Sequence, residues 1–380
     1  MTEKLYYKDA YIKDFTASVI SCVKCDGGYD VVLDKTAFFP EEGGQSSDDG
    51  YIGSSCVIHV VERDNVVHHI VDNEITGNNV FCKLDFAKRL EKMQCHTAEH
   101  ILCGIIYKLF GYDNVGFHLG DDVVTFDVSG YLSVEDIERV EKLANEAVFD
   151  NLPITTYFPA PAELDSIFYR AKLDLKDGVR IVRIGDVDSC ACCAPHVATT
   201  SEVGLIKILD FMKHRGGMRI TMVAGRRALS EFSILLSNVK RISALLSEPP
   251  HTTADILEKY IRDSEATALR LKHTRTRLAV SYAEAFTPTS TASVVVLDDL
   301  SVDELRDFCN AAMKRTDSLI VAISGKDGDY RYVIASSEEI SRDMTRDVNT
   351  ALSGKGGGRG NMIQGSFATS LEKIKEYFEK

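Results

Sequence analysis

Two short stretches, far apart in the chain, set the tightest limit on what it can fold into, because their chemistry is complete only if the fold brings them to one point. His96-Thr97-Ala98-Glu99-His100 places two imidazoles four residues apart, and Cys192-Cys193-Ala194-Pro195-His196 places a thiol and an imidazole at the same interval. On a helix, positions i and i+4 lie one turn apart on one face, so His96 and His100 can hold one ion together. Cys192 and His196 would complete a tetrahedral set of nitrogen and sulfur donors, the coordination zinc prefers. A lone histidine is more often structural than a ligand. Two complementary pairs inside one predicted domain favour a metal centre. Cys192 is the expected thiolate, ahead of Cys190 and Cys193, because its interval to His196 matches that of the histidine pair. The run His96-x-x-Glu99-His100 also fits the H-x-x-E-H pattern of inverzincin metalloproteases, with Glu99 as general base. That alternative needs a downstream carboxylate as third ligand and leaves Cys192 and His196 without a role, so it ranks second.

Such a site needs a scaffold, and 380 residues are too many for one ordinary core, so two to four domains are expected. Hydrophobic residues at 44% and charged residues at 27% are those of a soluble globular protein. The opening MTEKLYYKDAYIKD has no apolar core of a signal peptide, and no apolar run is long enough to span a bilayer. The expectation is a cytoplasmic protein with no membrane partner. In that compartment the ten cysteines read as free thiols or ligands rather than disulfides. Cys22-x-x-Cys25 lacks a second ligand pair and reads as two thiols near a strand. A net charge of −13 argues against non-specific nucleic-acid binding but leaves room for a local basic groove. Lys207, Lys213, His214, Arg215, Arg219, Arg226 and Arg227 cluster in one such stretch, although a charge run is ordinarily a solvated face.

The pattern along the chain predicts an α+β multidomain protein with four parts. Residues 1–85 carry β-branched runs punctuated by Gly27-Gly28, Gly43-Gly44 and Asp49-Gly50, which suits a small β-barrel-like domain. Residues 86–228 alternate helices and strands. A helix over about 86–110, ended by Gly111, carries His96 and His100; a second spans about 134–149; a strand pair follows the Cys/His motif. This is the expected α+β metal domain. Over 229–286 apolar residues recur at alternating spacings of four and three, from Phe232 and Leu235 to Ile242 and from Leu257 to Leu278, broken by Pro249-Pro250. That predicts a coiled-coil-like helical hairpin. Residues 287–380 read as a small α/β domain in which a helix over 301–314 joins two buried strands, and Gly354-Lys355-Gly356-Gly357-Gly358-Arg359-Gly360 reads as a glycine-rich loop.

A third segment, Thr36-Ala37-Phe38-Phe39-Pro40-Glu41-Glu42-Gly43-Gly44-Gln45-Ser46-Ser47-Asp48-Asp49-Gly50, reads as a strand ending in a tight turn dense in hydrogen-bonding groups. An ordinary hairpin is the plain interpretation, and a small polar ligand site the other. Together, this loop, the H-x-x-x-H helix and the C-x-x-x-H-V segment at Cys192–Val197 resemble the editing module of alanyl-tRNA synthetases. They resemble still more its free-standing AlaX-type relatives, the alanyl-tRNA editing proteins. The glycine-rich run at Gly354–Gly360 looks like that of the synthetase's C-terminal, DHH-associated domain, so the resemblance covers nearly the whole chain. Three departures stand out: Phe39 for the usual Tyr, Glu42 where many relatives have Gly, and Cys193-Ala194-Pro195 where Gly-Gly-Thr is commoner. The ligand types survive all three.

The resemblance implies a zinc-dependent hydrolase that clears the wrong amino acid from alanine tRNA, with Ser-tRNA(Ala) the expected substrate and Gly-tRNA(Ala) a further one. It implies Zn2+ on His96, His100, Cys192 and His196. Thr36 would hydrogen-bond the serine hydroxyl, Gln45 would position the ester or the attacking water, and His118 would line the pocket. Few residues precede Thr36, so editing without aminoacylation is expected. The basic stretch becomes a candidate tRNA contact, and the hairpin and tail a candidate homodimer interface. Outside the editing class, an inactive RNA-binding or assembly protein on the same fold is the main rival.

Overall fold

The computed structural model describes residues 1–164, 166–171, 178–289 and 292–379. The chain divides into two compact units, Met1–Lys240 and Arg241–Lys380.

Six strands of the first unit belong together: β1 (Asp14–Cys25), β2 (Gly28–Leu33), β3 (Gly50–Ile52), β4 (Ser55–Arg63), β5 (Val66–Val71) and β6 (Asn79–Leu84). They close into a barrel in the order β1-β2-β5-β4-β3-β6. Period-two alternation explains the closure: Val67, His69 and Val71 of β5 point inward, as do Val80, Cys82 and Leu84 of β6. With Val31, Leu33, Phe38 and Ile52 they fill a core of their own. Closure also leaves these strands no unpaired edge.

Helix α1 (Phe86–Phe110) follows, started by Asp85, whose side chain accepts from Lys88 N, and stopped by Gly111 in the left-handed region at φ 71°. Its middle, from Met93 to Ile106, is buried on every side, so it is the axis of the unit and not a surface helix. Around it lie α2 (Val134–Phe149) and an antiparallel sheet ordered β12-β13-β8-β7, formed by β7 (Asn114–Leu119), β8 (Val124–Val128), β12 (Ile206–His214) and β13 (Gly217–Ala224). A three-stranded sheet, β9 (Ile154–Tyr157), β10 (Ile181–Ile184) and β11 (Asp188–Ala191), completes the layer. Gly104 on α1 is what lets β11 in: a Cβ there would stand 2.6 Å from Val187 O and 2.7 Å from Asp188 Cβ. These elements share one continuous core, distinct from that of the barrel.

Two long helices follow, α3 (Gly225–Leu246) and α4 (Thr253–Ala285), with Pro249 and Pro250 between them. The boundary between the two compact units falls inside α3. The heptad residues Leu229, Phe232, Leu235 and Ile242 of α3, and Leu257, Ile261, Leu271 and Leu278 of α4, remain 38–66% exposed in the single chain. The second unit is built on a five-stranded sheet ordered β14-β15-β16-β18-β17, from β14 (Ala292–Val296), β15 (Leu319–Lys326), β16 (Asp329–Ala335), β17 (Gly354–Arg359) and β18 (Met362–Phe367). The parallel pair β14–β15 is joined through α5 (Val302–Ala312). Helix α5 and the end of α4 pack one core, and α6 (Arg342–Ala351) and α7 (Leu371–Phe378) another. The glycine-rich run corrects the expected loop: Gly354–Arg359 is an edge strand paired with Met362–Phe367. Its small residues admit close neighbours. A Cβ on Gly356 would lie 2.3 Å from the Tyr332 hydroxyl and 2.4 Å from Gln364 O.

Candidate metal centre and its cavity

The four sequence-paired ligands converge. Donor atoms of His96, His100, Cys192 and His196 all lie within 4.8 Å of one another. Cys192 Sγ stands 3.5 Å from His96 Nε2 and 3.4 Å from His196 Nε2. A tetrahedron with metal–sulfur bonds of about 2.3 Å and metal–nitrogen bonds of about 2.0–2.1 Å has sulfur–nitrogen edges of about 3.5 Å. The donor set and its spacing therefore fit a zinc-type ion.

Each histidine reaches the centre with one ring nitrogen and is held by the other. His96 Nδ1 donates to Gln45 Oε1 at 2.8 Å, His100 Nδ1 to Asp188 Oδ2 at 3.1 Å, and His196 Nδ1 meets Thr97 Oγ1 at 3.0 Å. An outer hydrogen bond of this kind fixes the tautomer and turns Nε2 inward. Asp188 is in turn held by Arg170 through Nε at 2.8 Å and Nη2 at 2.9 Å. Burial alone would raise the Asp188 carboxyl, but His100 and Arg170 outweigh it and hold it below the usual carboxylate range. Burial, with His100 and His96 adding to it, keeps His196 neutral by pushing its imidazole well below the ordinary range, as a ligand requires. Burial above all pushes the Cys192 thiol well up, and Arg180 beside it offsets only part of that. A bound cation is the compensation such a thiolate needs.

The loop from Thr36 to Gly50 is pinned on this helix. Phe38 and Phe39 are fully buried, Asp48 accepts from Phe39 N at 2.6 Å, and Arg89 of α1 donates through Nε to both Asp48 oxygens at 2.9 Å and through Nη2 to Ala37 O at 2.6 Å. Gly43 and Gly44, at φ 63° and 83°, turn the chain so that Gln45 faces His96. Gly44 also lies against β7, where a Cβ would meet Phe117 O at 2.5 Å.

The site forms one wall of a cavity of about 510 Å³ whose lining also includes Tyr7, Glu99, Phe117 and Arg180. Gln45 belongs to this centre, though through the His96 ring and not through an open amide facing the cavity. Thr36 is not brought to the cavity lining. It is fully buried beside the barrel core, where its hydroxyl meets His69 Nε2 at 2.8 Å and accepts from Phe38 N at 3.1 Å. His118 is exposed opposite Thr125. Strand alternation puts its neighbour Phe117 inward instead, 4.7 Å from the His96 ring. Sequence reasoning missed Asp188, Arg170 and Thr97. Only Thr97, inside the histidine motif, had a signal that could have marked it. All ten cysteines are free. The basic stretch is partly neutralised: Lys207 pairs with Glu141, Arg219 with Asp127 and Arg227 with Glu91. Among the described residues, the group of His96, His100, Cys192 and His196 contains no carboxylate, and Asp188 bonds His100 through Nδ1.

A family profile described as the threonyl and alanyl tRNA synthetase second additional domain matches residues 179–221, the stretch that supplies Cys192 and His196. Over the full length of both chains, the alanyl-tRNA editing protein AlaX-L of Pyrococcus horikoshii is 28% identical. The chain resembles an alanyl-tRNA editing protein from end to end. The alanine–tRNA ligase of Halobacterium salinarum is 32% identical over 86% of this chain and 38% of its own length, and that of Ignicoccus hospitalis 27% identical over 100% and 42%. The chain thus spans about two fifths of the synthetases it matches. The C-Ala domain of Aquifex aeolicus alanyl-tRNA synthetase overlaps 25% of this chain at 22% identity and a TM-score of 0.21, too low to support any inference. Among the described residues, no helix is long and apolar enough to cross a membrane.

Proposed function

We propose that this chain is a trans-acting editing hydrolase that cleaves the ester between a wrong amino acid and alanine tRNA, in the cytoplasm and without aminoacylating. One observation carries the reading: a buried three-histidine, one-cysteine centre opens on a cavity of about 510 Å³, in a chain similar throughout to an alanyl-tRNA editing protein. That volume suits the aminoacylated end of a tRNA, since sites for small ligands run about 300–1,000 Å³.

The task explains the substrate. A pocket shaped for alanine rejects an isostere that adds only a hydroxyl by no more than about 10²-fold, so serine passes and a second sieve is needed. Ser-tRNA(Ala) is the principal substrate in this reading and Gly-tRNA(Ala) the second. His96, His100, Cys192 and His196 hold Zn2+, which supplies positive charge at the carbonyl end of the cavity. Gln45 acts by fixing the His96 ring. Arg180, which donates to Cys192 O at 2.9 Å and to Ala194 O at 2.8 Å, shapes the ligand loop. Lys213, Arg215 and Arg226, which have no ion pair among the described residues, are the basic groups left for tRNA phosphates. The exposed heptad residues of α3 and α4 suit a homodimer.

The test is incubation with seryl-, glycyl- and alanyl-tRNA(Ala), following ester loss. Faster loss of the seryl ester than the alanyl ester is expected. Equal background rates for all three would leave the inactive RNA-binding reading in its place.

A further inference from the structure

A second cavity, of about 390 Å³, adjoins the Asp188–Arg170 pair, and the functional reading above gives it no occupant. One wall is a face of the three-stranded sheet. Register puts Arg183 opposite Thr155 on one side and Ser189 on the other, and Tyr157, two residues on from Thr155, shares that face. Phe168 also lines the cleft, its ring leaning on Tyr107 of α1 with centroids 5.7 Å apart. Phe168 is 68% exposed and Tyr157 40%. Large rings left bare around a cleft mark a contact surface. The charges beside them are two cations, Lys108 and Arg183, against one carboxylate, Asp186, because Arg170 and Asp188 neutralise each other. Lys108 donates to Asp186 O. Arg183 uses only Nε, on Gly185 O at 3.1 Å, and its two terminal nitrogens have no partner among the described residues.

Bare aromatic faces beside a free planar guanidinium are the recognition set of an unstacked nucleotide: a ring takes the base, and the guanidinium its phosphate. A protein partner would fill such a cleft with apolar side chains and leave Arg183 unpaired. The cleft is also joined to the metal cavity. Arg170 lines both, and Asp188 and Ser189 of β11 line the cleft while Cys190 and Ala191 of the same strand line the cavity. From Ser189 to Cys192 is about 10 Å of extended chain, at about 3.3 Å per residue. Tyr7, in the cavity lining, packs on Phe158, the residue after Tyr157, with centroids 5.5 Å apart. We propose that the cleft holds the unpaired nucleotide preceding the terminal adenosine, its base on Phe168 and Tyr157 and its phosphate at Arg183. This rests on the deacylase reading, which puts the adenosine and its ester in the metal cavity. Every base has a face that can stack, so the cleft selects single strand over duplex and not one base over another. Tyr157, Phe168 and Arg183 bind the strand and take no part in the ester chemistry.

The test measures affinity of the metal-loaded full chain for two non-hydrolysable seryl-amide analogues, one of adenosine alone and one of the trinucleotide cytidine-cytidine-adenosine. Wild type should bind the trinucleotide analogue the more tightly. Phe168→Ala and Tyr157→Ala should each weaken that binding by about 5–150-fold, with affinity for the adenosine analogue and metal per chain unchanged. Arg183→Gln should lower the slope of log affinity against log salt for the trinucleotide by about 0.7, one phosphate contact on a single strand. Both rings are exposed, so their removal leaves the fold intact and the variants interpretable. Wild type that hydrolyses seryl-tRNA(Ala) but binds the two analogues equally overturns the cleft proposal alone and leaves the surface to a protein partner. So does unchanged trinucleotide affinity in both alanine variants. Equal weakening of both analogues, or loss of metal, also overturns it, since that makes the rings structural. Wild type that hydrolyses no aminoacyl-tRNA and binds neither analogue takes the deacylase reading down with it.

Discussion

Thr36→Val separates two incompatible uses of one hydroxyl. The family resemblance gives it to the serine of the substrate, in which case removing it alters discrimination and leaves stability alone. The structure commits it inside the protein. His69 Nδ1 is 3.0 Å from Val31 O, a group that can only accept, so Nδ1 carries the proton and Nε2 accepts from Thr36. Thr36 Oγ1 in turn accepts from Phe38 N. Val keeps the branched shape and deletes both bonds, stranding a buried ring nitrogen and a buried amide. Each stranded group costs about 1–3 kcal/mol, so the loss for the two is roughly 2–6 kcal/mol. In a unit of 240 residues, at about 2–4 °C per kcal/mol, that lowers the melting temperature by roughly 4–24 °C. Circular dichroism of metal-loaded wild type, Thr36→Val and Thr36→Ser measures it, and Thr36→Ser should recover most of the difference. The ratio of kcat/KM for seryl- over alanyl-tRNA(Ala) should not change in the fraction that remains folded. A Thr36→Val protein that melts with wild type but loses serine discrimination would refute this assignment of the hydroxyl.

His69 supplies a pH dependence. Burial pushes its imidazole down to about 4, against 6.5 for an ordinary histidine, so between those values the unfolded chain binds the extra proton and stability falls as pH falls. The term is roughly 3 kcal/mol in all, and a His69→Asn chain should show a correspondingly flatter denaturation midpoint between pH 7 and pH 4. Asp188→Asn should weaken metal affinity by about 10–100-fold in chelator competition while keeping all four donors; unchanged affinity would mean that the His100–Asp188 bond does not support the site. A chain ended after Leu246 should still hydrolyse seryl ester at high concentration and run as a smaller species in light scattering; a full-length protein that is already monomeric would remove the dimer proposal.

The parts of the site legible in the sequence are those set by local geometry. The interval between His96 and His100 is a helical turn, and the interval from Cys192 to His196 matched it, so the ligands could be paired without knowing how the chain returns. The supporting groups are set by long-range register. Asp188 meets His100 because β11 lies against α1 at Gly104, a contact no local pattern announces. Thr36 finds His69 only because β2 pairs with β5, placing Val31 opposite His69. His118 and Phe117 are one residue apart in phase: a strand through Gly116-Phe117-His118 turns its two rings to opposite faces, and Phe117 is the one beside His96. The glycine-rich run was misread because glycine usually breaks strands, whereas here it lets an edge strand lie against Tyr332 and Gln364.

The Arg89–Asp48 clamp has a consequence for inheritance. It ties a loop of the barrel to the helix bearing His96 and His100, and the same loop delivers Gln45 to His96. Helix and barrel are therefore not separable parts, although each has its own core. A recombination that transplanted residues 86–224 without the preceding strands would carry all four metal donors into its new host. It would leave behind the partner that orients one of them, and would strand a buried guanidinium at the graft point. Lineages that pass this centre on would have to copy the two folds as a single block.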